Sequence, residues 1–111
     1  MTLHHAKKIV IVTEKLISEG VCEILKACGA SGYTIVAAGG KGSRNIRSTT
    51  ERTVVVSAFS NVKIDVIVND KDMAEKIMDQ VAAKYFENYS GITYLEDIEI
   101  LRPEKFITAD S

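Results

Sequence analysis

The sequence predicts an α+β fold of order βαββαβ, built as one domain over residues 1–111. Three observations carry this. Four segments of strand character are separated by two segments of helical periodicity. The two halves have similar lengths, and each reads strand, helix, strand. Between them, over about residues 40–60, the periodicity stops. A stretch that long in so small a domain is uncommon unless functional or mobile.

The first strand is Lys8 to Val12, with the β-branched run Ile9-Val10-Ile11-Val12. A strand apolar at successive positions is buried on both faces and therefore central. The residues before it, His4 and His5 included, read as a frayed terminus. Thr13 reads as the cap of the helix that follows. That helix carries Ile17, Val21, Ile24, Leu25 and Cys28, spaced by threes and fours, so one face is apolar. Gly20 weakens it slightly, and Gly29 and Gly32 end it through a left-handed cap and a turn.

Tyr33 to Ala38 is the second strand and runs directly into Gly39, Gly40 and Gly42. Val62 to Val68 alternates and is the third. Asp70 caps the second helix, whose stripe is Ala74, Ile77, Met78, Val81, Ala82 and Tyr85. Tyr89-Ser90-Gly91 is a turn. Ile92 to Leu101 is the fourth strand, stopped by Pro103, and the tail is 102–111. Two split βαβ halves imply a four-stranded antiparallel sheet with both helices on one face, the ferredoxin-like sandwich. The other face is bare, and its natural cover is further copies of the chain.

Composition excludes several functions. The net charge is −1, with 46% apolar and 26% charged residues, which marks neither a nucleic-acid binder nor a membrane-surface binder. The N-terminal residues contain no signal sequence and no apolar run able to span a membrane, so a cytoplasmic protein is expected. Cys22 and Cys28, on one helix, face different directions and cannot bridge within it. No metal set and no catalytic constellation appears. Glu99 and Asp97 share one strand face and Glu96 lies on the other, which reads as a solvated edge.

One segment is chemically distinct. Between Gly39 and Arg52 stand Lys41, Arg44, Arg47 and Arg52 against Glu51 alone. Glycines let backbone N–H groups approach an anion, and arginine presents a planar fork to phosphate oxygens. The segment is not a Walker A loop: Gly40-Lys41 is followed by Gly42, and Ile35 stands where that motif needs glycine. Phosphate binding is the favoured reading; a solvated basic loop and a protein-docking loop remain open. The turn at Ser90 could read a base edge through its backbone, or be an ordinary turn.

The string Gly39-Gly40-Lys41-Gly42-Ser43-Arg44-Asn45-Ile46-Arg47-Ser48, with Gly32-Tyr33-Thr34, resembles the SbtB-type PII-like signalling proteins of cyanobacteria. Val10-Ile11-Val12-Thr13-Glu14-Lys15, Met73-Ala74-Glu75, Lys84-Tyr85-Phe86 and Ser90-Gly91-Ile92 match the same pattern, so the resemblance spans about Lys8 to Leu101. It implies a homotrimer with nucleotide sites in the clefts between subunits, the long loop being the family's T-loop. It implies that Lys41, Gly42, Ser43, Arg44 and Arg47 hold phosphate, and that Thr34, Ser90, Gly91 and Ile92 meet adenine or ribose. The implied effectors are cyclic AMP, AMP, ADP and ATP, with no prosthetic cofactor. The implied partner is the sodium-dependent bicarbonate transporter SbtA, met at the cytoplasmic side of the membrane. Some SbtB proteins end in a cysteine-containing redox tail, but residues 102–111 contain no cysteine, so that regulation is not implied.

The rival readings are a carboxysome-associated PII-like regulator and a slow ATP or ADP hydrolase. An RNA-binding module of the same fold fits poorly, since the first three strands carry no aromatic except Tyr33.

Overall fold

The computed structural model describes residues 2–30, 32–39 and 60–101. The elements run β1 (His4–Glu14), a 3-10 turn (Lys15–Ile17), α1 (Ser18–Ala27), β2 (Tyr33–Ala38), β3 (Asn61–Val68), α2 (Lys71–Tyr85) and β4 (Gly91–Ile100). The strands form one sheet in the order β2-β3-β1-β4. Every pairing is antiparallel. This is the ferredoxin-like arrangement that the sequence predicts.

β1 is central, and Ile9, Val10 and Ile11 are all essentially inaccessible. Ile9 and Ile11 face the helices with Val62, Ile64, Val66 and Val68 of β3. Val21, Ile24 and Leu25 of α1 and Ala74, Ile77 and Val81 of α2 close over them. Each fully buried Ile, Val or Leu contributes about 1.5–3 kcal/mol relative to exposure. Burial along β3 alternates at every residue, as its pattern predicts.

β1 is longer at both ends than the apolar run suggests. His4 and His5 are not a frayed tail: they pair with Ile100 and Glu99 of β4. The polar flanks are held by charge across the strands. Lys7 pairs with Asp97 and Lys8 with Glu96 at 3.3 Å, and the His5 ring lies 3.9 Å from the Glu99 carboxyl. The acids read as a solvated edge therefore have partners on β1. The Lys7 ammonium, which donates a hydrogen bond to Asp97, holds that carboxyl below its usual pKa. The pair's contribution is therefore present above the ordinary carboxylate pKa and is lost as pH falls through the lowered one. In Lys7→Ala, the Asp97 carboxyl carbon should titrate at a higher pH by NMR than in the native chain.

Thr13 does not cap a helix. It is the last buried residue of β1, and its hydroxyl points elsewhere, as described below. The 3-10 turn that follows has no side-chain cap. Leu16 is 79% exposed, while Ile17 turns into the core. At the far end of α1, Gly29 has φ of 90°. Its N–H donates to Lys26 O, and that of Ala30 donates to Leu25 O. This is the paired closure of a left-handed C-terminus, which glycine adopts without the penalty of a Cβ.

Gly20 has a packing reason that its helix propensity conceals. A Cβ there would stand 2.9 Å from Tyr85 Cζ and overlap the Tyr85 hydroxyl. The missing side chain is the space in which α2 lays its last aromatic ring against α1. Asp70 caps α2 as expected: its carboxylate accepts from Met73 N–H at 2.8 Å. Asp70→Ala should lower stability by about 1 kcal/mol, seen as a lower urea midpoint.

Neither described helix packs on the second sheet face. Register places Thr34 and Val36 of β2, Lys63, Asp65 and Ile67 of β3, Val12 of β1, and Ile92 and Tyr94 of β4 on it. Val36, Ile92 and Tyr94 are 50%, 58% and 41% exposed. The alternate apolar positions of β4 therefore face outward, while Leu95 on the opposite face packs against the core.

Candidate functional site

The chemistry-bearing segments converge on one end of the sheet because the strands that border them end in register. Ala38 pairs with Asn61, and Asn61 with Glu14. One rung further, Thr13 pairs with Gly91. The start of the glycine-rich segment at Gly39, its far end at Ser60, the end of β1 and the Ser90 turn thus share one edge of the fold.

The end of β1 grips its neighbours by hydrogen bonds that no local pattern announces. Thr13 Oγ1 donates to Ser90 O at 2.8 Å. Ser90 N–H donates to Glu14 Oε2 at 2.7 Å. Lys15 N–H donates to Ser60 O at 2.7 Å. Both backbone polar groups of Ser90 are therefore taken by the side chains of two consecutive β1 residues. Gly91 follows at once, where a Cβ would lie 2.8 Å from Phe86 Cζ and 2.9 Å from Thr13 Oγ1.

Of the residues expected at a nucleotide site, Ser90, Gly91 and Ile92 lie together at the start of β4. Ile92 projects onto the uncovered face opposite Val12. Thr34 is exposed on the same face of β2, opposite Asp65. Asp65 Oδ1 is buried and makes no hydrogen bond. This carboxylate was not singled out from the sequence, where Lys63-Ile64-Asp65-Val66 reads only as an alternating strand. Lys41, Gly42, Ser43, Arg44 and Arg47 lie outside the described residues.

Register also measures separation. Thr34 lies in the rung of Asp65, Val10 and Tyr94, three strand spacings from β4. At about 4.8 Å per strand and 3.4 Å per residue, it is roughly 18 Å from Gly91. One adenine cannot touch both within a single chain.

An open groove of about 870 Å³ runs from this end of the fold, at Glu14, Lys15 and Ser60, between α1 and the β2 edge past Cys22, Tyr33 and Ile35. Cys22, hydrogen-bonded to the Tyr33 hydroxyl, holds that phenol above its usual pKa. Both cysteines are free thiols. Among the described residues no group of His, Cys, Asp or Glu could hold a metal ion. No helix among them is long and apolar enough to cross a membrane.

The family model for nitrogen regulatory protein P-II matches residues 6–105. The chain belongs to the P-II family. Solved structures agree with this P-II assignment. A PII-like signalling protein from Thermus thermophilus is 36% identical, with a TM-score of 0.76 over 96% of this chain and 99% of that one. CPII from Thiomonas intermedia, bound to ADP, AMP and acetate, is 28% identical, with a TM-score of 0.75 over 96% and 98% of the two chains. The same protein bound to ADP and bicarbonate is 27% identical, with a TM-score of 0.76 over 95% and 97%. This P-II chain is a PII-like signalling protein, and the CPII structures hold adenyl nucleotides.

Proposed function

We propose that this protein senses adenyl nucleotides in clefts between the subunits of a homotrimer. The observation that carries the reading is the separation of Thr34 from the Ser90–Ile92 turn. The two sets, each exposed on or beside the bare face, can meet one nucleoside only if they come from different copies. Exposed Val36, Ile92 and Tyr94 supply apolar surface for such an assembly. The neighbour that binds ADP and AMP supports the ligand class.

In this reading Gly91 and Ile92 meet adenine through their backbone, with Ser90 fixing the turn. The exposed Thr34 hydroxyl offers a hydrogen bond to a ribose hydroxyl of a nucleoside held by the turn of the adjacent subunit. Lys41, Gly42, Ser43, Arg44 and Arg47 hold phosphate, since glycine backbone and guanidinium groups both match phosphate oxygens. The effectors are cyclic AMP, AMP, ADP and ATP. The protein acts by switching a partner, not by catalysis. No described cluster offers a base and nucleophile, although slow phosphate release with Mg²⁺ is the direct test of hydrolysis.

The partner proposed from the SbtB-like string is the bicarbonate transporter SbtA, met at the cytoplasmic side of the membrane. A nucleotide can regulate that contact only through different affinities for the free and partner-bound forms. Calorimetry with each of the four nucleotides tests the sensor: no heat with any of them would overturn it. Capture of the transporter from membranes with and without each nucleotide tests the switch, and equal capture in every state would sink it. Adenyl-nucleotide binding with no transporter capture would favour the carboxysome-associated type of regulator.

A further inference from the structure

The end of β1 does more than terminate a strand. Thr13 and Glu14 are adjacent, so their side chains leave opposite faces of the strand. Both nonetheless reach one residue, Ser90, which lies 77 and 76 positions away. The Thr13 hydroxyl closes on the Ser90 carbonyl, and the Glu14 carboxylate closes on the Ser90 N–H. The turn is thus clasped from two sides, immediately before the two residues offered to the nucleoside. A carboxylate accepting a backbone N–H is a charge-assisted bond, stronger than a neutral one.

The next residue extends the grip. Lys15 N–H holds Ser60 O, the last residue before β3. Three consecutive residues therefore tie the Ser90 turn to the stem that enters β3. We infer that Glu14 is a positioning residue of the nucleotide site: its carboxylate holds the Ser90 N–H and so sets the backbone of Gly91 and Ile92 in the conformation that receives the ligand. This deepens the functional reading above and rests on it. Glu14 needs no contact with the nucleotide. Its effect is on the fraction of molecules whose turn is competent, and apparent affinity scales with that fraction.

Three chains decide the matter: native, Glu14→Ala and Glu14→Gln. Glutamine keeps an oxygen that can accept the Ser90 N–H, whereas alanine keeps none. Amide hydrogen exchange without ligand reads the clasp directly. Ser90 N–H should exchange faster in Glu14→Ala, with near-native protection in Glu14→Gln. Calorimetry with ADP and with AMP then reads the consequence. Glu14→Ala should bind each roughly three- to tenfold more weakly, as if the turn were competent about a tenth to a third of the time. Glu14→Gln should recover most of that loss, which a role in net charge would not produce; an unchanged urea midpoint in Glu14→Ala separates positioning from bulk stability.

Native binding with unchanged affinity in Glu14→Ala overturns the inference and leaves the sensor reading intact. Unchanged Ser90 exchange in Glu14→Ala overturns it whatever the ligand does. Absence of ADP and AMP binding by the native chain overturns the functional reading, and the positioning role with it.

Discussion

Gly91→Ala should destabilise the protein by about 1–3 kcal/mol, the range for forcing an extra methyl into a filled site. The added Cβ would overlap the Phe86 ring and stand 2.9 Å from Thr13 Oγ1. Gly91 is not at positive φ, since Gly29 alone among the described residues is. The cost is therefore steric and not conformational. In open space the same change would stabilise by about 0.4–1 kcal/mol through the unfolded chain, so the clash decides the sign.

Two relaxations compete. Phe86 can rotate, but its N–H caps α2 on Ala82 O and its ring packs against the core. The turn can shift instead, which stretches both Ser90 bonds. The urea midpoint should fall at unchanged m, and a Phe86→Leu background should return part of the loss by emptying the contested space. An unchanged midpoint would show that the ring yields freely.

Arg47→Ala should weaken binding of every adenyl nucleotide by roughly ten- to a hundredfold, because a hydrogen bond to a charged group contributes about 1.5–3 kcal/mol. The effect should be shared across cyclic AMP, AMP, ADP and ATP, since all four carry a phosphate on the ribose 5′ oxygen. It should be larger at low salt, where charge pairing is less screened. The mass of the assembly should not change, because the sheet face proposed to join the copies is untouched. Unchanged calorimetric affinity would show that another of the basic residues carries the phosphate grip. A loss confined to one nucleotide would place Arg47 at a group that the others lack.

The elements legible in the sequence are those whose causes lie within a few residues. The span of β2 is as read, and that of β3 differs by one residue. The Asp70 cap and the left-handed Gly29 are likewise local devices: one side chain meeting an N–H three residues on, and one backbone angle. The reach of β1 was not legible, because Lys7, Lys8 and His5 look like solvated polar residues until β4 brings Asp97, Glu96 and Glu99 opposite them. A signal did exist. A basic run at one end of the chain matches an acidic run at the other, in antiparallel order. Only knowledge that β1 and β4 are neighbours turns that match into pairing.

The candidate site divides in the same way. The glycine-rich basic string is what suggests the proposed anion site, since its residue types suit phosphate. Glu14 and Asp65 announced nothing. One reads as a polar residue entering a helix and the other as the outward half of an alternating strand. Glu14 enters the proposed site because the sheet order sets the end of β1 beside the Ser90 turn, and Asp65 comes beside Thr34 because register sets the two opposite.

The sequence by itself determined the α+β class, the element order and the Asp70 and Gly29 caps, and it alone motivates the proposed phosphate site. Propensity, periodicity and side-chain chemistry act over short distances along the chain. Only the tertiary structure decided which strand ends meet and which alternate positions of β4 turn away from the described helices. It also decided that Thr13 and Glu14 clasp a turn more than seventy residues away. Those depend on strand order and register, which link residues distant in sequence and shift every side chain together when the pairing moves by one.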